Sequence, residues 1–167
     1  MVSLSIKRLR ELIQVGLNYV ELSLFTSSST RYQALTGANM LERVHTTILH
    51  VKAQNLPLTI ACTLLADGLD EFEEIIHTAF TLGADAIALN PFTPTGYGLK
   101  QQGKFYLSQQ QLHLFLEQAQ NLATILPMPM SVTLPVEDCL LPHKYYPNLY
   151  FNPCQCGLNK WVIDPEG

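Results

Sequence analysis

Charge is what this sequence has least of. Only 14% of its residues are Asp, Glu, Lys or Arg, and the 10 basic residues, set against 14 acidic ones, nowhere gather into a stripe. A surface of that kind cannot track a phosphate backbone, which excludes nucleic acid as the main partner. Long apolar runs are missing too. Stretches such as Leu56 to Leu65 and Ala84 to Leu89 are interrupted by Pro57, Asp67 and Asn90, well short of the roughly 20 residues that cross a bilayer. The opening residues, Met1 to Arg10, have no apolar block followed by a small-residue cleavage site, so no secretion signal is read there and a cytoplasmic setting without a membrane partner is expected. The even cysteine count, 4, would permit two disulfides, but a reducing compartment favours metal binding by clustered thiols instead.

What the chain does have is a hydrophobic fraction of 47% over 167 residues, enough to bury a core. Its periodicity alternates between two kinds. Leu4, Arg8, Leu9, Leu12 and Ile13 recur at helical intervals and Gly16 follows them; Tyr19 to Phe25 then reads as a strand opening into a polar loop, Thr26 to Thr30. A second helix is expected over Asn39 to Gln54, with Asn55 at its end. Leu58 to Leu65 is a nearly continuous apolar run, the pattern of a strand buried on both faces. Asp67 to Glu71 supplies a turn, with Asp70 as helix cap, for a third helix through Leu82 that Gly83 ends. Ala86 to Asn90 is a third strand, and a loop rich in Pro and Gly runs from Pro91 to Gly98. Ser108 caps a fourth helix, Gln109 to Ile125, and a short strand follows at Met130 to Leu134.

Buried strands alternating with helices make right-handed parallel units. A closed eight-fold barrel needs about 250 residues, so the expected fold is α/β, a partial parallel (β/α) TIM-like barrel over residues 1–134. An irregular cysteine-containing segment is expected over 135–167, where Pro142, His143, Pro147, Pro153 and the last cysteines break the pattern.

Ligands of parallel α/β folds gather at the carboxyl ends of the strands. The candidate residues there are Ser23, Leu64, Asn90, and Pro94 and Gly96 of the loop, whose small residues let backbone approach a ligand. Cys154-Gln155-Cys156 places two thiols one residue apart, a pair suited to a soft metal or a cluster but incomplete alone. His45, His50, His77, His113 and His143 share no ligand spacing, and are read as surface or half-buried residues.

Taken in order, these segments resemble the radical S-adenosylmethionine superfamily, in particular members with a SPASM-type C-terminal extension. Gly16 to Leu24 is similar to the family's fourth barrel strand, with Ser23 at its serine, and Leu35-Thr36-Gly37 resembles the Leu-Arg-Gly that follows. Thr63 to Phe72 resembles the fifth unit, and Leu82 to Ile87 with Pro94-Thr95-Gly96 the sixth. Cys156-Gly157 followed by Val162 to Gly167 resembles the opening of the SPASM pattern. Phe25-Thr26 stands where the family carries Asp-Gly.

The resemblance implies an intact enzyme that reductively cleaves S-adenosylmethionine at a [4Fe-4S] cluster and abstracts a hydrogen from a peptide or small-molecule substrate. It implies that Ser23 and the ends of strands two and three line the cofactor cleft, and that Cys156, with Cys154, belongs to an auxiliary iron-sulfur site. The family's Cys-x3-Cys-x2-Cys loop and Gly-Gly-Glu segment are not in this sequence. The chain is therefore expected to be part of a longer protein and inactive alone. The alternative is a non-catalytic partial barrel that binds a partner or forms a homodimer through its exposed sheet edge. A zinc protein using Cys139, His143, Cys154 and Cys156 is a third reading, and its spacings match no compact zinc module.

Overall fold

The computed structural model describes residues 4–135 and 141–153. Ser5 opens the first helix, α1 (Ile6–Gln14), its hydroxyl accepting from the Arg8 N–H, and the helix sends Leu9 into the core. Gly16, at φ 106°, turns the chain out of it into β1 (Val20–Ser23). Two helices then follow, α2 (Ser29–Thr36) and α3 (Leu41–Lys52). The first of these begins inside the loop expected over Thr26 to Thr30 and continues through residues for which the sequence pattern predicts no element. It starts because the Ser28 hydroxyl caps the Arg31 N–H, and its weak amphipathicity hides it, since Tyr32 is its sole buried residue.

Beyond Asn55, whose positive φ ends the turn after α3 as expected, come β2 (Leu58–Leu64), α4 (Phe72–Thr81) and β3 (Ala86–Pro91). Asp70 does not cap α4. It lies inside a single 3-10 turn, Leu69–Glu71, that leads into the helix, and no side chain caps either element. A further 3-10 turn, Gly96–Gln101, and the short α5 (Gln102–Phe105) fill the excursion after β3. Then α6 (Gln109–Ile125) begins in a reciprocal Ser108–Gln111 capping box and leads to β4 (Met130–Val132).

The sheet does not stop there. Leu149–Phe151, inside the segment that reads as irregular, forms β5 and pairs in parallel with β4. Strand order is β1-β2-β3-β4-β5 and every pairing is parallel. A right-handed crossover puts its connection on one fixed side of the sheet, and because the order never reverses, all connections fall on the same side. Even the helix-poor link before β5 obeys this, with Tyr146 hydroxyl 2.8 Å from His113 Nδ1 on α6 and Asn148 bonded to Gln120 and Thr124.

One face of the sheet therefore carries the large apolar side chains of the core. Leu58, Ile60, Cys62 and Leu64 of β2 point there at 0–1% exposure, beside Ile87, Leu89, Met130 and Val132. Burial on both faces, which the apolar run of β2 suggests, holds in part: on the other side Ala61 is buried at 5% exposure, while Thr59 and Thr63 are half-buried. Burial pushes the Cys62 thiol up to about 12, so it is a small core group with no reactive thiolate.

At the amino ends of the strands Asp85 clamps two units together. Its Oδ2 accepts from Lys52 Nζ at 2.6 Å and from the Leu58 N–H at 2.7 Å. The Lys52 hydrogen bond leads in holding the Asp85 carboxyl below its ordinary value, against the opposing effect of burial. A depressed folded pKa means that Asp85 contributes stability above the unfolded carboxylate value of about 3.9, a contribution lost as pH falls through the lower folded value. Asp85→Asn is expected to cost at most ~1 kcal/mol at neutral pH, the aspartate side chain being half-exposed. Urea midpoints of variant and parent should converge as pH falls below the ordinary aspartate range.

Candidate functional site

Side chains alternate along a strand, and parallel partners in register share a face. The face opposite the helices carries Glu21 and Ser23 of β1, Thr59, Ala61 and Thr63 of β2, Ala86, Ala88 and Asn90 of β3, Ser131 of β4 and Tyr150 of β5. Apart from Tyr150 and Glu21 these are small, and most are hydroxylic or amide residues. The interior of a filled (β/α) barrel is packed with branched apolar side chains. This face has none of them: Ala61 and Ala88 are buried there, and its other residues are half-buried or exposed.

The carboxyl rim of the same face holds two of the expected residues. Ser23 ends β1, exposed, opposite Ala61. Asn90 sits near the end of β3 opposite Thr63, and the Thr133 hydroxyl donates to its Oδ1, bridging the ends of β3 and β4 across the inner face. Leu64 departs from the set: its side chain is 1% exposed among the helix-facing core residues, and its carbonyl is taken by the Phe92 N–H at 3.1 Å. Pro94 lines an open cleft above β3 and β4, of about 530 Å³. Gly96 begins the 3-10 turn at φ 52°, with open space around its Cα. Ser23 and Asn90 thus share the inner rim, while Pro94 and Gly96 belong to the excursion above it. Cys154 and Cys156 lie outside the described residues.

A polar brace that the sequence does not announce holds this rim in place. Thr26, fully buried, donates its hydroxyl to Glu71 Oε2 at 2.5 Å and accepts from the Ser28 N–H at 3.1 Å. Arg31 of α2 spans to the β2–α4 turn, bonding the Asp67 carbonyl at 2.8 Å and its carboxylate at 2.6 Å, with Glu71 Oε1 3.6 Å from Nε. Gly68 leaves room for that guanidinium, since a Cβ there would lie 3.2 Å from Nη2. On the other side, Gln111 of α6 donates to the Ala66 carbonyl and Ala66 to that of Phe105. The loops after β1, β2 and β3 are therefore cross-linked, and Ser23 is followed by backbone that cannot drift. Ser28 as a helix cap was the one local signal for this arrangement.

Among the described residues no group of three or more His, Cys, Asp or Glu side chains converges to hold a metal ion, and no helix is long and apolar enough to cross a membrane. His113 is engaged by Tyr146, and His77 lies 3.6 Å from Glu73, one helical turn away.

No family profile matches the chain. Over 115 residues it is 33% identical to a Streptomyces rochei protein named PqqA peptide cyclase, a match that takes in 66% of this chain and 30% of that protein. The HMG-CoA lyase of Brucella melitensis, a TIM barrel, superposes with a TM-score of 0.58 at 12% identity, covering 96% of this chain and 57% of that one. At that identity the likeness speaks for the fold alone: an arc of a parallel (β/α) barrel. The chain spans less than a third of the length of the curated relative and little more than half of the solved structure.

Proposed function

We propose that this chain is a portion of a radical S-adenosylmethionine enzyme acting on a peptide, in which the bare inner face of the sheet forms part of the wall of the reaction chamber. The observation that carries this reading is that face. Small and polar side chains replace the branched apolar layers of a filled barrel, and the outer edge of β1 has no partner strand among the described residues. Both features are costly in isolation and both are relieved by further strands that close the wall around a ligand. The similarity to a peptide cyclase and the ordered run of motifs around Ser23, Thr36-Gly37 and Pro94-Thr95-Gly96 support the chemistry and a peptide substrate.

The residues present fit the cofactor in part. The Ser23 hydroxyl and the Asn90 amide offer donors and acceptors of the kind a ribose, amine or carboxylate needs, and Ala61 and Ala88, buried below them, carry only methyl groups. They do not fit the principal cluster, whose three-cysteine loop is not in this sequence and for which no ligand set exists among the described residues. When bound, S-adenosylmethionine would supply a carbon radical able to abstract hydrogen. The task left to this chain is to hold the ligand at the rim, brace the loops above it and exclude water. Cys154 and Cys156 are proposed as ligands of an auxiliary cluster.

Iron and acid-labile sulfide should copurify, or reconstitute anaerobically, in equal amounts with the polypeptide expressed together with whatever precedes Met1 in its gene. A folded longer polypeptide that takes up neither would refute the enzyme reading. A tight dimer of that iron-free protein in sedimentation would favour association through the β1 edge instead.

A further inference from the structure

We propose that the two clefts flanking Phe92 form one docking groove for an extended acidic peptide, which seats an apolar side chain on one side of the ring and a carboxylate two residues away on the other. The proposal rests on the peptide reading above and specifies which peptides this rim selects.

Phe92 lines both clefts, of about 530 and 510 Å³. It is fixed between them, edge-on to Phe105 with centroids 5.8 Å apart and pressed by Gly98, where a Cβ would come within 3.2 Å of the ring. On one side the walls are mainly apolar, with Pro91, Pro94, Tyr106, Leu107, Leu112 and Leu134 beside the polar Thr93 and Gln102. On the other the polar groups Thr36, Tyr97, Gln101 and Lys104 stand among Ala34, Leu35 and Phe105. Side chains at i and i+2 of an extended chain lie on one face about 6.8 Å apart, a span that straddles one phenyl ring. Tyr97, Leu99 and Tyr106 around the clefts are all more than half exposed, which gathers apolar surface beyond the scattered residues usual on a protein surface.

Charge fixes the second side chain. The chain is net −4, yet no Asp or Glu occurs from residue 86 to 116, and that stretch carries Lys100 and Lys104. Lys104 makes a long ion pair with Asp67 Oδ2, 3.8 Å away, and lies over the Phe105 ring, while Arg31 holds the other Asp67 oxygen at 2.6 Å. The Lys104 side chain is 62% exposed, so it keeps the capacity to pair with an incoming carboxylate. Lys100, over the Tyr97 ring, adds a second cation beside the cleft. The last turn of α2 forms the opposite wall and presents the negative end of a short helix dipole, so anion selectivity rests on the two lysines.

The test is fluorescence anisotropy of the full chain with labelled twelve-residue Gly/Ser peptides carrying Leu-x-Glu, Leu-x-Lys or Gly-x-Glu at the centre. Leu-x-Glu should bind about tenfold tighter than either control, with the gap to Leu-x-Lys shrinking as salt rises. Lys104→Glu, an exposed change whose folding is verified by circular dichroism, should invert the preference toward Leu-x-Lys. Leu134→Ser should weaken both leucine peptides alike. Equal binding of all three peptides, or no inversion with Lys104→Glu, overturns the proposal; so does a second copy filling the groove, seen as a dimer that Lys104→Glu dissociates while no peptide binds. The assay needs no cofactor. Selective peptide binding by a longer polypeptide that holds no iron would sink the enzyme reading and leave the groove standing, and the reverse result would do the opposite.

Discussion

Ala88→Trp in the longer polypeptide is expected to weaken S-adenosylmethionine binding about 100-fold while the melting temperature stays within a few degrees of the parent. Ala88 lies mid-strand on the inner face, between Ala61 and Ser131 in register. Ala88 and Ala61 are buried but carry only methyl groups, so an indole there must project past them over the inner face. Overpacking a site that must accept a ligand costs ~3 kcal/mol, or two decades of affinity. In a filled core the same residue would clash and unfold the protein. Equilibrium dialysis and thermal denaturation on one preparation separate the outcomes. Loss of stability would mean that the face is packed, and unchanged binding would mean that the hollow is not where the ligand sits. Ala88→Val should fall between, because it adds two methyl groups and leaves most of the space.

Phe72→Ala should have the largest effect on stability. Phe72 of α4 and Phe115 of α6 are each 1% exposed and meet edge-to-face, with centroids 5.3 Å apart and planes at 88°. The pair joins two consecutive βα units where their helices touch. Truncation leaves a cavity that neighbours on rigid helices cannot fill, at about 3–5 kcal/mol, from a total of about 5–15 kcal/mol for a domain. Urea denaturation should show the midpoint falling with little change in slope. Phe72→Leu should cost markedly less. A Phe72→Ala loss below about 1 kcal/mol would contradict the close packing of α4 on α6.

Much of this architecture is legible in the sequence where local rules and burial agree. For α6, the Ser108 cap and the inward row Phe115, Leu116, Ala119 and Leu122 point to one answer, and the observed bounds match the expected ones. The elements that escape notice are those that local pattern does not support. For α2, Ser and Thr dominate the first turn and only Tyr32 is buried; β5 has three residues and follows Pro147-Asn148, so neither period can establish itself. In β2 the adjacent small residues Ala61 and Cys62 blur the alternation that separates the helix-packed face from the opposite one. That distinction matters most for function, and it emerges only when the register places Ala61 beside Ser23 and Ala88.

The candidate site divides along the same line. Ser23 and Asn90 lie at strand ends, which are predictable from sequence, and the parallel order brings them to one rim. Leu64 occupies an equally predictable strand end, but the pleat turns it into the core. The Thr26–Glu71 bond joins residues 45 positions apart, and Arg31 reaches 36 positions to Asp67. Such pairings leave no periodic trace, and buried hydroxyls and rim cations read as ordinary loop residues until the fold brings their partners close.

The central claim, that this arc of barrel belongs to an enzyme cleaving S-adenosylmethionine by one-electron reduction, is tested most directly by 5′-deoxyadenosine release. The longer polypeptide, reconstituted anaerobically with iron and sulfide and reduced with dithionite, should release 5′-deoxyadenosine from S-adenosylmethionine, and Ala88→Trp should suppress that release. A folded, iron-loaded protein that binds S-adenosylmethionine and releases none would contradict the claim.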